Sequence, residues 1–261
     1  MMLSVIIPAQ NEAEHCRDTI SALAITLQRA QISHEILVVN DHSTDHTAAI
    51  VSILAREWPQ VRLVTNASYP GFGSAVRAGL ASAAGDAVTL VMADGSDHPE
   101  DVVTYYRALQ QGVDCVFGSR FIRGAHVVGY PWHKLWLNRL ANTCIRILFQ
   151  IRYNDVTNAF KCYRREVIEG IQPLVSRHFN LTVELPLKAV IRGYSYTVVP
   201  IRWRQRKHGL SKLKIKEMGS RYLFIVLSVF LEKHLVSGDY HRRTRVASTE
   251  AATREEQPVS S

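Results

Sequence analysis

The stretch VMADGSDHPED, residues 91–101, sets Asp94, Asp97 and His98 directly after an apolar run. Carboxylates crowded there could hold a hard divalent cation such as Mg2+ or Mn2+, which takes oxygen ligands. They could equally cap the helix that Pro99 opens. Two earlier apolar runs end the same way. LSVIIPA is followed by Gln10, Asn11 and Glu12, and EILVV by Asn40, Asp41, His42, Ser43, Thr44 and Asp45. Any one of these groups is an ordinary helix cap. Three of them at one edge point instead to a site for a cation and a phosphate.

The elements that must position these residues alternate. Strands are expected at 3–9, 35–41, 61–66 and 87–94, and between them run helical periods such as Ile20, Leu23, Ala24 and Leu27. Val/Ile/Leu runs without alternation fit parallel strands covered on both faces, so the expected class is α/β, an open, mostly parallel, doubly wound sheet with helices on both faces. In such sheets ligands lie outside the carboxyl ends of the strands, where all three polar loops fall. The chain lacks GxxxxGK[ST], and Gly71, Gly73 and Gly79 do not form GxGxxG after a strand, so ATP hydrolysis and dinucleotide redox chemistry lose support.

Composition narrows the partners. With 31 Lys and Arg against 23 Asp and Glu, the 261-residue chain suits an acidic partner: a phosphorylated substrate, an anionic lipid surface or nucleic acid. The last has no motif or aromatic platform behind it, so no nucleic acid is expected. Cys16, Cys115, Cys144 and Cys162 are scattered, without a CxxC pair, and LSVIIPA is too short for an export signal; both point to a cytoplasmic chain.

The segments IIPAQNEAE, ILVVNDHSTDHT, GFGSAVRAGL, VMADGSDHPED, VFGSRF, DVTNAFKCYRREV and RQRKHGLSK, in this order, resemble family 2 glycosyltransferases of the polyprenyl-phosphate (dolichol-phosphate) mannosyltransferase type. The resemblance implies a GT-A fold over residues 1–217. It also implies inverting transfer of a hexose, mannose or glucose foremost, from a nucleotide-sugar to a polyprenyl phosphate. It puts Pro8, Glu12, Asp41 and Asp94 at the donor and Asp94 with Asp97 at the metal. The family's usual DxD is Met92-Ala93-Asp94 here and its DDGS is Asn40-Asp41-His42-Ser43, which puts metal dependence in question. Asp94, Arg120 and Arg206 are the expected catalytic groups; Arg120, Arg139, Ser211 and Lys212 are expected to meet phosphate. Arg123, Asp155 and Glu184 also match family positions, although an Asp155 turn cap and a Glu184–Lys188 pair at i, i+4 serve as well.

A polyprenyl phosphate is met at a membrane. WHKLWLNRLANTCIRILFQIRY mixes Trp and Leu with Lys and Arg as interfacial helices do, though a core helix shares the period. YLFIVLSVFL, 222–231, is too short to span. The expectation is therefore peripheral attachment at the inner face of a membrane, directly or through a membrane-protein partner. Residues 218–237 are expected as an amphipathic C-terminal helix and 238–261 as a disordered tail. Two alternatives remain open: a saccharide or protein acceptor, and a catalytically silent binding protein.

Overall fold

The computed structural model describes residues 1–205 and 215–241. The strands β1 (Leu3–Ala9), β2 (His34–Asn40), β3 (Val61–Thr65) and β4 (Ala87–Leu90) alternate with α1 (Cys16–Arg29), α2 (Thr47–Glu57) and α3 (Phe72–Ser82). Then come α4 (Pro99–Gln110), β5 (Cys115–Ser119), β6 (His126–Val128) and α5 (Trp132–Phe149). The chain continues through β7 (Lys161–Arg164), α6 (Arg165–Gly170), α7 (Leu181–Ile191), β8 (Tyr196–Pro200), β9 (Arg202–Arg204), α8 (Ile215–Leu235) and α9 (Ser237–Tyr240).

Seven strands form one sheet in the order β3-β2-β1-β4-β7-β5-β8, and β6 pairs with β9 in a small second sheet. Only β7 runs antiparallel to its neighbours. The pleat sorts the core: Leu3, Val5 and Ile7 of β1 face α1, α2 and α4, while Ile6 faces the α3, α5, α7 and α8 side. Connections leave β1 toward β2 on one side and return to β4 on the other, so the crevice between β1 and β4 is the topological switch point.

The fourth strand is shorter than its apolar run. It stops at Leu90, not at Asp94. The Met92 N–H, which a ladder would use, donates instead to the Asp97 carboxylate at 3.0 Å, and Gly95 turns the chain at φ 68°. Near the other end of the chain, α9 extends into the stretch expected to be disordered. There His241 ties the chain back to the end of α7, its Nδ1 lying 3.0 Å from the Arg192 carbonyl oxygen.

Candidate active site

The first two loops are clasped together. The Asn11 N–H donates to Ser43 Oγ, the Thr44 N–H to Asn11 Oδ1 and the Ala13 N–H to Asp45 Oδ2, at 3.1, 2.8 and 3.1 Å. Glu12 is half-buried and its N–H donates to Thr47 Oγ1 at 2.9 Å. Pro8 is buried within β1 opposite Val39. Asp41 is also buried. Its Oδ1 accepts from Asn66 Nδ2 at 2.7 Å and its Oδ2 from the Gly71 N–H at 2.9 Å, so it ties β2 to the turn before α3. Oδ2, with that single partner among the described residues, retains capacity for a further donor such as a ribose hydroxyl.

The glycines serve packing. A Cβ on Gly71 or Gly73 would stand 2.5 Å from the carbonyl oxygens of Arg177 and Ser176, and one on Gly79 would stand 2.5 Å from Ile6 Cγ2. Phe72 stacks on Phe179 with centroids 4.1 Å apart beside this contact. Between the open alternatives of ligand approach and close packing, the contacts are those of packing.

Past β4, Asp94 is half-exposed and one oxygen accepts from the Ser96 N–H at 3.1 Å. Asp97 is buried. Burial, with Asp94 adding to it against the Met92 hydrogen bond, pushes its carboxyl up to about 7. His98 caps α4, accepting from the Glu100 N–H, with Pro99 at the first position. The donor set suits a divalent cation as two carboxylates completed by substrate oxygens and water; no group of three or more His, Cys, Asp or Glu that could hold a metal exists among the described residues.

Arg120, expected at the phosphate, has a carboxylate partner within the protein. Its Nε and one terminal nitrogen grip Asp155 at 2.8 and 2.7 Å, and both side chains are buried. Phe121, Tyr130 and Trp203 surround the guanidinium at 5.3, 5.3 and 5.7 Å. Burial opposes the charge, and Asp155 more than offsets it, so Arg120 stays cationic but is already paired. Asp155 is thus that arginine's counter-ion, not a turn cap. Glu184 likewise pairs with Lys188 at 3.0 Å while accepting from the Val175 and Ser176 N–H groups.

The exposed cations lie elsewhere. Arg123 and Arg139 are exposed, and neither has a carboxylate partner within 4.0 Å among the described residues; Arg139 lies over the Phe121 ring at 4.7 Å. Arg206, Ser211 and Lys212 fall outside the described residues. The helix α5 buries Asn142, Ile145 and Phe149 yet exposes Trp132 at 80% and Trp136 at 66%, together with Leu137, Leu140 and Ile147. Neighbouring α8 buries Ile225 and Val229 and exposes Leu223, Phe224, Leu227 and Leu231. Among the described residues no helix is long and apolar enough to cross a membrane.

Two partners of the site escaped the sequence. Asn66, which holds Asp41, stands directly after β3, where the strand-end rule would have found it. Trp203 reaches Arg120 from β9, whose backbone bridges to Asp97; three residues of strand gave no period to read.

Residues 4–171 match the model of Glycosyl transferase family 2. The chain belongs to glycosyl transferase family 2. It is 34% identical over 215 residues to the polyprenol monophosphomannose synthase of Mycolicibacterium smegmatis, covering 80% of each chain. It is 33% identical over 219 residues to the dolichol-phosphate mannosyltransferase of Pyrococcus furiosus, covering 83% of this chain and 60% of that protein. This glycosyltransferase also shares its fold with glucosyl-3-phosphoglycerate synthase from Mycobacterium tuberculosis, solved with Mn2+, UDP and phosphoglyceric acid: TM-score 0.66 at 20% identity, over 89% of this chain and 78% of that one. The sheet is that of a GT-A glycosyltransferase.

Proposed function

We propose that this glycosyltransferase moves a hexose from a nucleotide-sugar to a polyprenyl phosphate, with inversion at the anomeric carbon, at the inner face of a membrane. The observation that carries the reading is the junction of a half-exposed carboxylate with an exposed aromatic and cationic helix. Asp94 sits at the β1/β4 switch point; the Arg204 N–H of β9 donates to the Ser96 carbonyl at 3.1 Å, β9 pairs with β6, and β6 leads into Trp132. The names of the Mycolicibacterium and Pyrococcus relatives support the same acceptor class, with mannose as the leading sugar.

In this reading Pro8, Glu12 and Asp41 line the nucleoside end of the donor, and Asp94 with Asp97 would hold Mg2+ or Mn2+ beside its diphosphate. When bound, that cation would offset charge developing on the leaving diphosphate. Arg139, with Ser211, Lys212 and Arg206 from the following segment, receives the acceptor phosphate. Arg120 acts through Asp155, fixing the wall between the two substrates. A lipid phosphate is anionic at neutral pH, so it attacks the anomeric carbon opposite the departing diphosphate without a general base, and a single displacement inverts the centre. The chain's task is then alignment and charge placement. Trp132, Trp136 and the exposed leucines of α5 and α8 bring the site to the bilayer surface.

The test is a screen of GDP-mannose, UDP-glucose and other nucleotide-sugars against mass-tagged polyprenyl phosphate, with and without Mg2+ and Mn2+. Transfer to the lipid from one donor is expected. Transfer to a saccharide or protein alone would replace the acceptor reading, and transfer from no donor would overturn the proposal.

A further inference from the structure

His42 adopts a left-handed backbone conformation, which residues other than glycine enter uncommonly. Among the described residues four that are not glycine have positive φ: Asn11, Gln31, His42 and Gln150. Gln31 and Gln150 follow the last turns of α1 and α5, where a left-handed residue ends a helix. Asn11 is a type that tolerates the region, and its side chain bonds the Thr44 N–H. His42, at φ 56°, is also a type that enters this region more often than most, but it ends no helix. Its neighbours fix the turn: the Asp41 N–H donates to the Ala9 carbonyl at 2.8 Å and the Ser43 N–H to Asn40 Oδ1 at 3.2 Å. A glycine would meet that demand with no Cβ to accommodate.

The imidazole itself is placed by Asp41. Nδ1 lies 3.3 Å from Asp41 Oδ1, and the side chain is 42% exposed. An ionised carboxylate only accepts, so Nδ1 carries the hydrogen and Nε2 is left as an acceptor in the neutral ring. The position suits a ligand. β2 lies two strands from β4, so the turn after β2 is about 10 Å from the loop of Asp94 at the usual strand spacing. The other side of β4 is walled by the Arg120–Asp155 pair and its aromatic rings. A donor whose diphosphate lies at Asp94 therefore extends its nucleoside over β1 and β2.

We propose that His42 contacts the nucleoside of the donor, its Nε2 accepting from a ribose hydroxyl or a base N–H. The inference rests on the donor half of the function proposed above. A non-glycine residue kept at this left-handed turn beside the cleft is consistent with a side chain retained for a ligand.

The experiment titrates GDP and UDP, each with Mg2+, against the full chain and against His42→Gly and His42→Asn, and records melting temperatures beside donor KM and kcat. Glycine fits the turn, so His42→Gly melts at or above the temperature of the parent. The nucleotide that binds the parent binds this variant about three- to tenfold more weakly, as loss of one hydrogen bond implies, with donor KM raised and kcat held. His42→Asn, which tolerates the turn and keeps a polar group, recovers part of the loss. Unchanged nucleotide affinity in a stable His42→Gly overturns the inference while leaving the transferase reading intact. Failure of both nucleotides to bind the parent overturns the inference and the donor reading together.

Discussion

The two halves of the cleft handle charge in opposite ways. Along β1, β2 and β4 the loops are joined by hydrogen bonds between neutral groups and carboxylates, and Asp94 keeps contact with solvent. Along β5 and α7 the charges are buried in pairs: Arg120 with Asp155, and Glu184 with Lys188. A buried pair is a fixed wall, because either member alone would be an unpaired charge in a low dielectric. A half-exposed acid can take on a new partner. The first half thus keeps a carboxylate open to a new partner and the second holds its shape, with accessible cations at Arg123 and Arg139.

The largest effect that would separate the halves is on stability. Asp155→Ala strands the Arg120 guanidinium and is expected to cost about 3–5 kcal/mol in chemical denaturation. A cost below about 1 kcal/mol would remove the contrast. On the binding side, Asp94→Asn keeps an oxygen for the Ser96 N–H, so the fold should melt as before while transfer falls roughly 10²- to 10³-fold. Preserved turnover would remove Asp94 from the proposed metal site.

Smaller effects sharpen the picture. Trp132→Ser with Trp136→Ser removes exposed rings, so liposome flotation should drop by about tenfold or more with little change in melting temperature. Equal flotation would take α5 away from the bilayer. Asp97 provides the pH signature. Its folded value of about 7 lies above the ordinary 3.8, so between these values the unfolded chain has released a proton that the native one keeps, and stability falls as pH rises through that window. Asp97→Asn should melt with less dependence on pH from about 4 to about 7 than the parent, by calorimetry. Matching slopes would show that the carboxyl ionises freely.

The parallel sheet was legible because its strands are continuous apolar runs, and the strand-end rule then singled out Asp41 and Asp94 as candidates. What the sequence concealed was pairing across distance. Arg120 and Asp155 are 35 positions apart, and no local pattern shows that a matched arginine has its carboxylate already. The end of β4 is hidden for a related reason: LVMA is apolar throughout, and the residue that stops the ladder at Leu90, Asp97, acts from five positions beyond Met92. The motif containing Arg206, Ser211 and Lys212 lies outside the described residues, so their part in the site stands as proposal.

The antiparallel strand β7 has a consequence for how the chain acquires its shape. Lys161–Arg164 fills the gap between Ala87–Leu90 and Cys115–Phe117, so the middle of the sheet is supplied by residues made long after its neighbours. During synthesis the first four strands can assemble with their helices, leaving the outer edge of β4 unpaired until β7 arrives. Completion of the sheet then waits on a contact of high sequence separation, which sets a slow step. The half proposed to bind the donor can be in place before the wall beside it, and the open β4 edge is the point at which an interrupted chain would pair with another copy.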